Sequence, residues 1–474
     1  MIRLQKIKNV LGILCLALLS VSCEKWLDVS PKTDVKYDDL FSYKNGFKDQ
    51  LTGIYTNLCA EELYGAHLTF GMMDALGQQY TWTQAIGTYY HLHRFEYKEE
   101  SSEKVINKVW EKMYNTIANV NILLQGIEEH HGILTEEEEK IYEGEAYALR
   151  AFMHFDLLRL FGKSFASGAQ EKAIPYVKKI SKEVTPLSTV AEVIELALQD
   201  LEKAASLLEQ APEKAGTATT DFIGKREFHL NYYAVRALMA RIYMYKNDKV
   251  NALKYAQEVI DSKKYPWVSS DFVTTSDRNS RDGIFMSECI WTLNNTKLGK
   301  LVDVYLKESK DNGNLLVTSA EVRNEIFESN LYGGSDWRYI YYFEPYNTNF
   351  ISSKLWQVSS TFNHRQPLLR ISEMYLIAAE CAGSTKEALE YVNKLRHHRG
   401  FKEGDDIQEE GMTAEKLQAI IGKEYRKEFI GEGQWFFYCK RTDKEMMPNV
   451  TVHFSKSFYV LPMPDQEVDY GNRN

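Results

Sequence analysis

Residues 135–162 read TEEEEKIYEGEAYALRAFMHFDLLRLFG, and this run decides the fold class. Thr135 with Glu138 three residues on is a capping box, in which hydroxyl and carboxylate each satisfy an orphan backbone N–H at a helix start. The helix so opened extends to Phe161, before Gly162. Tyr142, Ala146, Leu149, Met153, Leu157 and Leu160 share one face, and Ala148, Ala151, Phe155 and Leu158 share another. A helix that is apolar on two faces is sandwiched between neighbours. Its alanines let those neighbours come close.

The same pattern repeats on both sides. Val109, Met113, Ile117, Val120, Leu124 and Ile127 recur at steps of 4, 4, 3, 4 and 3, an amphipathic helical stripe. Thr189-x-x-Glu192 caps a helix striped by Val190, Ile194, Ala197, Leu201, Ala204 and Leu208, which Pro212 stops. Residues 231–245 predict a helix with Tyr233, Ala237, Ala240 and Met244 on one side. An Asn247-Asp248 turn follows, then Leu253, Ala256 and Ile260. Ser384-x-x-Glu387 separates a helix over 371–381 from one ending at Gly400, and a last long helix covers 413–430. Helix pairs with alanine at the crossings read as TPR-like, with an irregular period. Two stretches, 62–100 and 263–365, break the pattern and read as loops and short strands. Irregular segments of that length are functional or packed on the scaffold. No low-complexity linker divides the chain, so residues 23–474 read as a single domain.

The N-terminus has a different character. Arg3, Lys6 and Lys8 precede an apolar run from Val10 to Leu19, too short to span a bilayer. Small residues then lead to Cys23. Residues 1–22 therefore read as a lipoprotein signal peptide, with the mature chain starting at a lipidated Cys23. Ser20 stands where a lipobox usually carries leucine, and Leu19 lies one residue earlier. The leader holds three basic residues and no acidic one, which leaves 54 basic against 66 acidic residues in the mature chain. That balance argues against nucleic acid and against an electrostatic grip on anionic lipid. Cys59, Cys289, Cys381 and Cys439 lie far apart with no CxxC, so neither a disulfide framework nor a zinc site is expected. Cys381, in a helical run, reads as a buried thiol.

Several motifs, in order, resemble the SusD/RagB family across nearly the whole mature chain. They begin with Cys23-Glu-Lys-Trp-Leu-Asp-Val-Ser-Pro, Leu40-Phe-Ser and Leu51-Thr-Gly-Ile-Tyr55, then Trp110-x3-Tyr114-x2-Ile117-x-Asn119-x-Asn121. Glu145-Ala-Tyr-Ala-Leu-Arg150-Ala-Phe-Met-His-Phe-Asp156 through Leu160-Phe-Gly162 is the most distinctive. Arg370-x2-Glu373-x-Tyr375, Asn393-x-Leu395-Arg396 with Arg399-Gly400, Glu424-x-Arg426-x2-Glu428-x3-Glu432-Gly433 and Leu461-Pro462 follow. The resemblance implies a mainly α fold of about four TPR-like helix pairs with an irregular, loop-rich part and a few short strands. It implies an outward-facing outer-membrane lipoprotein that binds a nutrient, usually an oligosaccharide and sometimes a peptide. The implied partner is a SusC-like TonB-dependent barrel transporter. No catalysis, cofactor or metal is implied.

Sugar recognition needs flat apolar faces for ring C–H groups and amides or carboxylates for hydroxyls. The loop candidates are Asp74, Gln78, Tyr80, Trp82 and Tyr89, then Trp291 with Asn294, then Trp337. Asp336-x-Arg338, around Trp337, reads as a structural salt bridge. Glu145, Arg150, Glu424, Arg426 and Glu428 read as structural pairs between packed helices rather than catalytic groups. His397-His398 are helix neighbours that do not share a face, so a common metal is not expected. HExxH, a phosphate loop and GxSxG are all absent from the sequence. Capture of a peptide is the nearest alternative. An α/α-barrel glycan-degrading enzyme would require about twelve evenly spaced helices and a pair of loop carboxylates, which residues 263–365 do not offer.

The lipid anchor gives the first test. Cys23→Ala should abolish incorporation of radiolabelled palmitate and release the protein from the membrane fraction. Label retained on the variant would place the anchor elsewhere.

Overall fold

The structure, a computed structural model, describes residues 32–82, 84–307, 312–332, 334–356 and 361–471. Residues 1–22, read as a signal peptide, and Cys23 lie outside the described residues. Helices carry the architecture: α1 (Lys32–Phe41), α2 (Lys44–Leu58), α3 (Glu100–Glu129), α4 (Glu136–Phe161), α5 (Val190–Leu207), α6 (Tyr232–Tyr245), α7 (Lys249–Asp261), α8 (Ile371–Cys381), α9 (Thr385–His397), α10 (Ala414–Glu428) and α11 (Gln434–Arg441). Four pairs form, α2 with α3, α4 with α5, α6 with α7 and α8 with α9. The pairs stack in chain order through α3 on α4, α5 on α6 and α7 on α8. The fold is thus mainly α and of the expected TPR-like kind.

Local chemistry sets the helix ends. The capping boxes at Thr135 and Thr189 are both closed, with Oγ1 accepting from the third residue's N–H and the glutamate from the cap's N–H. Ser384, Asn231 and Thr413 also cap their helices through the side chain. From Gly144 to Phe161 every side chain of α4 except Tyr147 is buried, as its double stripe requires. His154 on α4 makes two interior bonds, Nδ1 to the carbonyl of Arg150 at 2.9 Å and Nε2 from the N–H of Val177 at 2.9 Å. Helix α10 stops at Glu428, slightly short of the expected end, because Gly431 and Gly433 turn the chain with φ of +82° and +70°.

The irregular stretches hold more helix than the sequence suggests. Residues 62–100 contain the short helices Met72–Leu76 and Tyr90–His93. Residues 263–365 contain Leu298–Tyr305, Ala320–Ile326 and Trp337–Tyr341. The strands are short: β1 (Lys172–Pro175), β2 (Leu187–Thr189), β3 (Cys289–Asn294), β4 (Thr318–Ser319), β5 (Phe343–Tyr346), β6 (Asn349–Ser352) and β7 (Arg365–Arg370). They pair antiparallel as β1-β2, β3-β7 and β4-β6-β5. Cys59, Cys289, Cys381 and Cys439 are free thiols. Cys381 is half-buried rather than fully buried, with its Sγ 3.4 Å from the Met244 sulfur.

A buried ion network fastens the irregular part to the helices. Glu428 on α10 accepts from Arg338 at 3.0 Å, from Arg399 at 2.7 and 2.9 Å and from Arg370 at 2.5 Å. Arg399 also holds Glu288, Arg338 holds Asp336 and Glu424, and Arg370 holds Glu432. Arg396 and Lys427 complete Glu424, and Lys354 donates to Glu432 and to the carbonyls of Glu428 and Ile430. Asp336-x-Arg338 is thus a structural pair, as read. Glu145 is bound by Arg226, His229 and Tyr55, and Arg150 by Asp200 at 2.8 Å.

Removing one partner from such a set strands the others in a dry interior. Glu428→Gln should cost about 3–5 kcal/mol of unfolding free energy. Lys163→Ala, which breaks the exposed pair with Glu171, should cost under about 1 kcal/mol. Denaturant unfolding of both variants checks the contrast.

Candidate functional site

The expected site residues separate into supports and a wall. Asp74, Gln78, Tyr80, Tyr89 and Trp291 are all buried, so the structure corrects their reading as ligand contacts. Each has an interior duty. The Asp74 carboxylate accepts from the N–H groups of Gly431 at 2.6 Å and Gly433 at 3.2 Å. Gln78 sits at φ +57°, a conformation few non-glycine residues adopt, and its Nε2 donates to the His93 carbonyl at 2.9 Å. The Tyr80 hydroxyl donates to the Phe70 carbonyl at 2.6 Å. The Tyr89 hydroxyl meets His67 Nδ1 at 2.9 Å. Trp291 packs edge-on against Phe152, 4.9 Å between ring centres.

Trp82 has a different environment. It is half-buried, with one face on the His93 ring at 4.4 Å and Tyr80 at its edge. The backbone leading to it runs beside β4. Thr81 N–H donates to the Val317 carbonyl at 2.8 Å, Thr318 Oγ1 to the Gln79 carbonyl at 3.0 Å, and Ser319 N–H to Thr81 Oγ1 at 3.2 Å. Strand β4 in turn pairs with β6, and β6 with β5 through the Asn347-Thr348 turn. Asn347 takes φ +51° there, as such a tight hairpin asks.

Trp82 therefore stands in the wall of a pocket of about 290 Å³ lined by Thr81, Gln84, Leu315, Val317, Tyr346 and Asn349 among others. No charged side chain lines it among the described residues. An indole, a phenol, amides and hydroxyls remain, the set that stacks on sugar rings and bonds their hydroxyls. The two irregular stretches meet here. Thr88 donates through N and Oγ1 to Asn314 Oδ1 at 3.0 and 2.9 Å, and Gly87, at φ +98°, passes so close to Gly313 that a Cβ would lie 2.2 Å from its carbonyl oxygen.

Two candidates lie elsewhere. Asn294 is exposed at the end of β3 and lines a separate pocket that shares no lining residue with the first. Trp337 is half-buried over Gly400, and its backbone N–H donates to the Arg399 carbonyl at 2.9 Å. Tyr346, Asn347 and Asn349 are wall residues that the sequence reading missed. The available signal was Tyr-Asn-Thr-Asn at 346–349, a turn sequence between aromatic residues. Groups of three or more His, Cys, Asp or Glu side chains placed to hold a metal are absent among the described residues.

Electrostatics around the wall favour neutral forms. Burial holds His93 down to about 4 and lifts Asp74 up to about 7, the latter against the pull of the two glycine N–H groups.

Residues 25–244 match a family model described as SusD-like, starch-binding and associating with the outer membrane, and residues 243–470 match the SusD family model. A SusD-like protein of Formosa agariphila is 21% identical, over 90% of this chain and 88% of its own. Among solved structures, a SusD superfamily protein from Bacteroides fragilis has TM-score 0.72 at 20% identity, covering 92% of this chain and 99% of its own. A laminarin-binding SusD-like protein has TM-score 0.66 at 18% identity, covering 90% and 97%.

The His93 shift yields a pH test. The unfolded imidazole binds a proton near 6.5 and the folded one only near 4. In that window the unfolded chain holds more protons, so stability falls as pH drops, at up to about 1.4 kcal/mol per pH unit from this residue. Asp74 works with the opposite sign, so a comparison is needed to isolate His93. His93→Phe keeps a ring under Trp82 and should lose less stability than wild type between pH 6.5 and 4. Equal losses in urea unfolding at the two pH values would contradict the assignment.

Proposed function

The chain belongs to the SusD family, and from that premise we propose that it captures a neutral oligosaccharide at the Trp82 pocket and passes it to a SusC-like TonB-dependent outer-membrane transporter. The observation carrying the ligand class is the uncharged pocket wall within an acidic chain, 66 acidic against 57 basic residues. A charged glycan would leave water for a wall with nothing to compensate it. A neutral one gains from stacking, at about 25 cal/mol per Å² of apolar area removed from water. The laminarin-binding structural neighbour supports a glucan as the first probe.

In this reading the family's outer-membrane association is realised by a lipid on Cys23, after removal of residues 1–22. Residues 23–474 act as one binding domain on the cell surface. Among the described residues no helix is long and apolar enough to cross a membrane. The chain works by binding and not by catalysis. Its carboxylates Glu145, Glu424 and Glu428 are buried in structural ion pairs and stand away from the pocket wall.

Calorimetry against a panel of laminari-oligosaccharides, other neutral glycans, uronate-containing glycans and peptides tests the proposal. A neutral glycan should bind, and Trp82→Ala should weaken it at least about tenfold, or 1.4 kcal/mol, with the melting temperature nearly unchanged. Wild-type affinity in Trp82→Ala for a proven ligand would move the site.

A further inference from the structure

The pocket that contains Asn294 has a chemistry of its own. It lies between α2, the turn at Phe228 and His229, and the end of β3, and has a volume of about 310 Å³. Among the described residues its lining carries one lysine, one histidine and no carboxylate. That is unusual in a chain with more acidic than basic residues. Lys297 is exposed and has no ion-pair partner among the described residues. Its ammonium lies near the Cys59 thiol on the pocket wall: burial pushes that thiol up to about 12, and Lys297 pulls the other way.

The neighbouring amide is set by an Asx turn. Asn295 is fully buried, and its Oδ1 accepts from the Lys297 backbone N–H at 3.0 Å. This contact fixes which end of the amide is oxygen and leaves Nδ2 as a buried donor with no partner. The exposed amide of Asn294 beside it lines the pocket and can donate to a bound acceptor. Thr52, Thr56 and Thr296 add hydroxyls and Phe228 adds an aromatic ring. The floor is firm, because Tyr55 and His229 are both tied to Glu145 Oε2, at 2.7 and 2.8 Å.

We propose that this pocket is a second ligand site, separate from the Trp82 pocket, that takes the carboxylate of a small acidic sugar such as a hexuronate. One ammonium with amide donors matches a single negative charge on a planar pair of oxygens. Hydroxyl groups and a ring face then suit the sugar body. The inference stands apart from the reading of the Trp82 pocket, since the two pockets share no lining residue.

Ligand-observed NMR on the purified protein tests it with D-glucuronate and D-glucose, which differ at the carboxylate. Glucuronate should bind at least about tenfold more tightly than glucose. Lys297→Met, at an exposed position that leaves the fold intact, should lose about tenfold of that affinity, and Trp82→Ala should leave it unchanged. Equal binding of the two sugars would overturn the proposal, as would wild-type glucuronate affinity in Lys297→Met or its loss in Trp82→Ala.

Discussion

The Glu428 carboxylate, closed off from water and gripped by three guanidinium groups, is the constraint on which the architecture turns. A charge in a dry interior is tolerable only when its partners are all in place. Here those partners come from segments far apart in sequence. Arg338 belongs to the irregular stretch, Arg370 to the end of β7 and Arg399 to the turn after α9. Six buried cations (Arg338, Lys354, Arg370, Arg396, Arg399 and Lys427) meet five buried carboxylates (Glu288, Asp336, Glu424, Glu428 and Glu432). Glu328, half-exposed at the rim, takes Lys427 at 2.8 Å and Lys423 at 2.7 Å. The irregular stretch therefore cannot drift away from the helices without exposing or orphaning several charges together.

The same helix carries this constraint to the pocket. Glu424 and Glu428 are one turn apart on α10 and point into the network. Arg426, between them, points the other way. Its guanidinium reaches Gln79 Oε1 at 3.3 Å and the Gln78 carbonyl at 3.4 Å, in the segment that leads to Trp82. Asp74 grips the glycine turn immediately after α10 from the other side. Trp82 thus stands on a strained segment held from α10, from β4 and from the His93 ring. A ligand that stacks on it meets a wall already in position, which saves the ordering cost that a loose loop would incur on binding.

The scaffold was legible in the sequence because its signals are local. Capping boxes at Thr135 and Thr189 and stripes spaced by three and four residues depend only on neighbours within one helix. The charged residues of the family motifs, Arg370, Arg396, Arg399, Glu424, Glu428 and Glu432, were visible too, and their pairing could be anticipated from the cost of burying charge. Beyond Asp336 with Arg338, which pairs with which could not, because partners such as Glu288 and Lys354 come from segments without periodicity. The site was legible only as a region. Tyr80, Tyr89, Trp291 and Trp82 look alike in sequence, yet three are interior and one lines the pocket. What separates them is long-range: the Phe70 carbonyl takes the Tyr80 hydroxyl, His67 takes that of Tyr89 and Phe152 covers Trp291, while Trp82 lines the pocket.

That distinction bears on how the pocket selects. The hydroxyls of Tyr80 and Tyr89 each meet an interior partner, so their polarity is spent on the protein. The pocket wall carries further polar groups in Gln84, Asn347 and Asn349, whereas the Thr81 hydroxyl already accepts from Ser319. These groups are uncharged, and they remain so across the pH range where the protein is folded. For a sugar bound as proposed, discrimination would depend on whether each amide and hydroxyl finds a matching hydroxyl, since an unmatched one loses its water and gains nothing. Stacking on Trp82 and Tyr346 would supply affinity that is nearly indifferent to that pattern. In that reading affinity and selectivity would reside in different side chains of one wall, and the hairpin turn at Asn347 could change the second without disturbing the buried charges that hold the first in place.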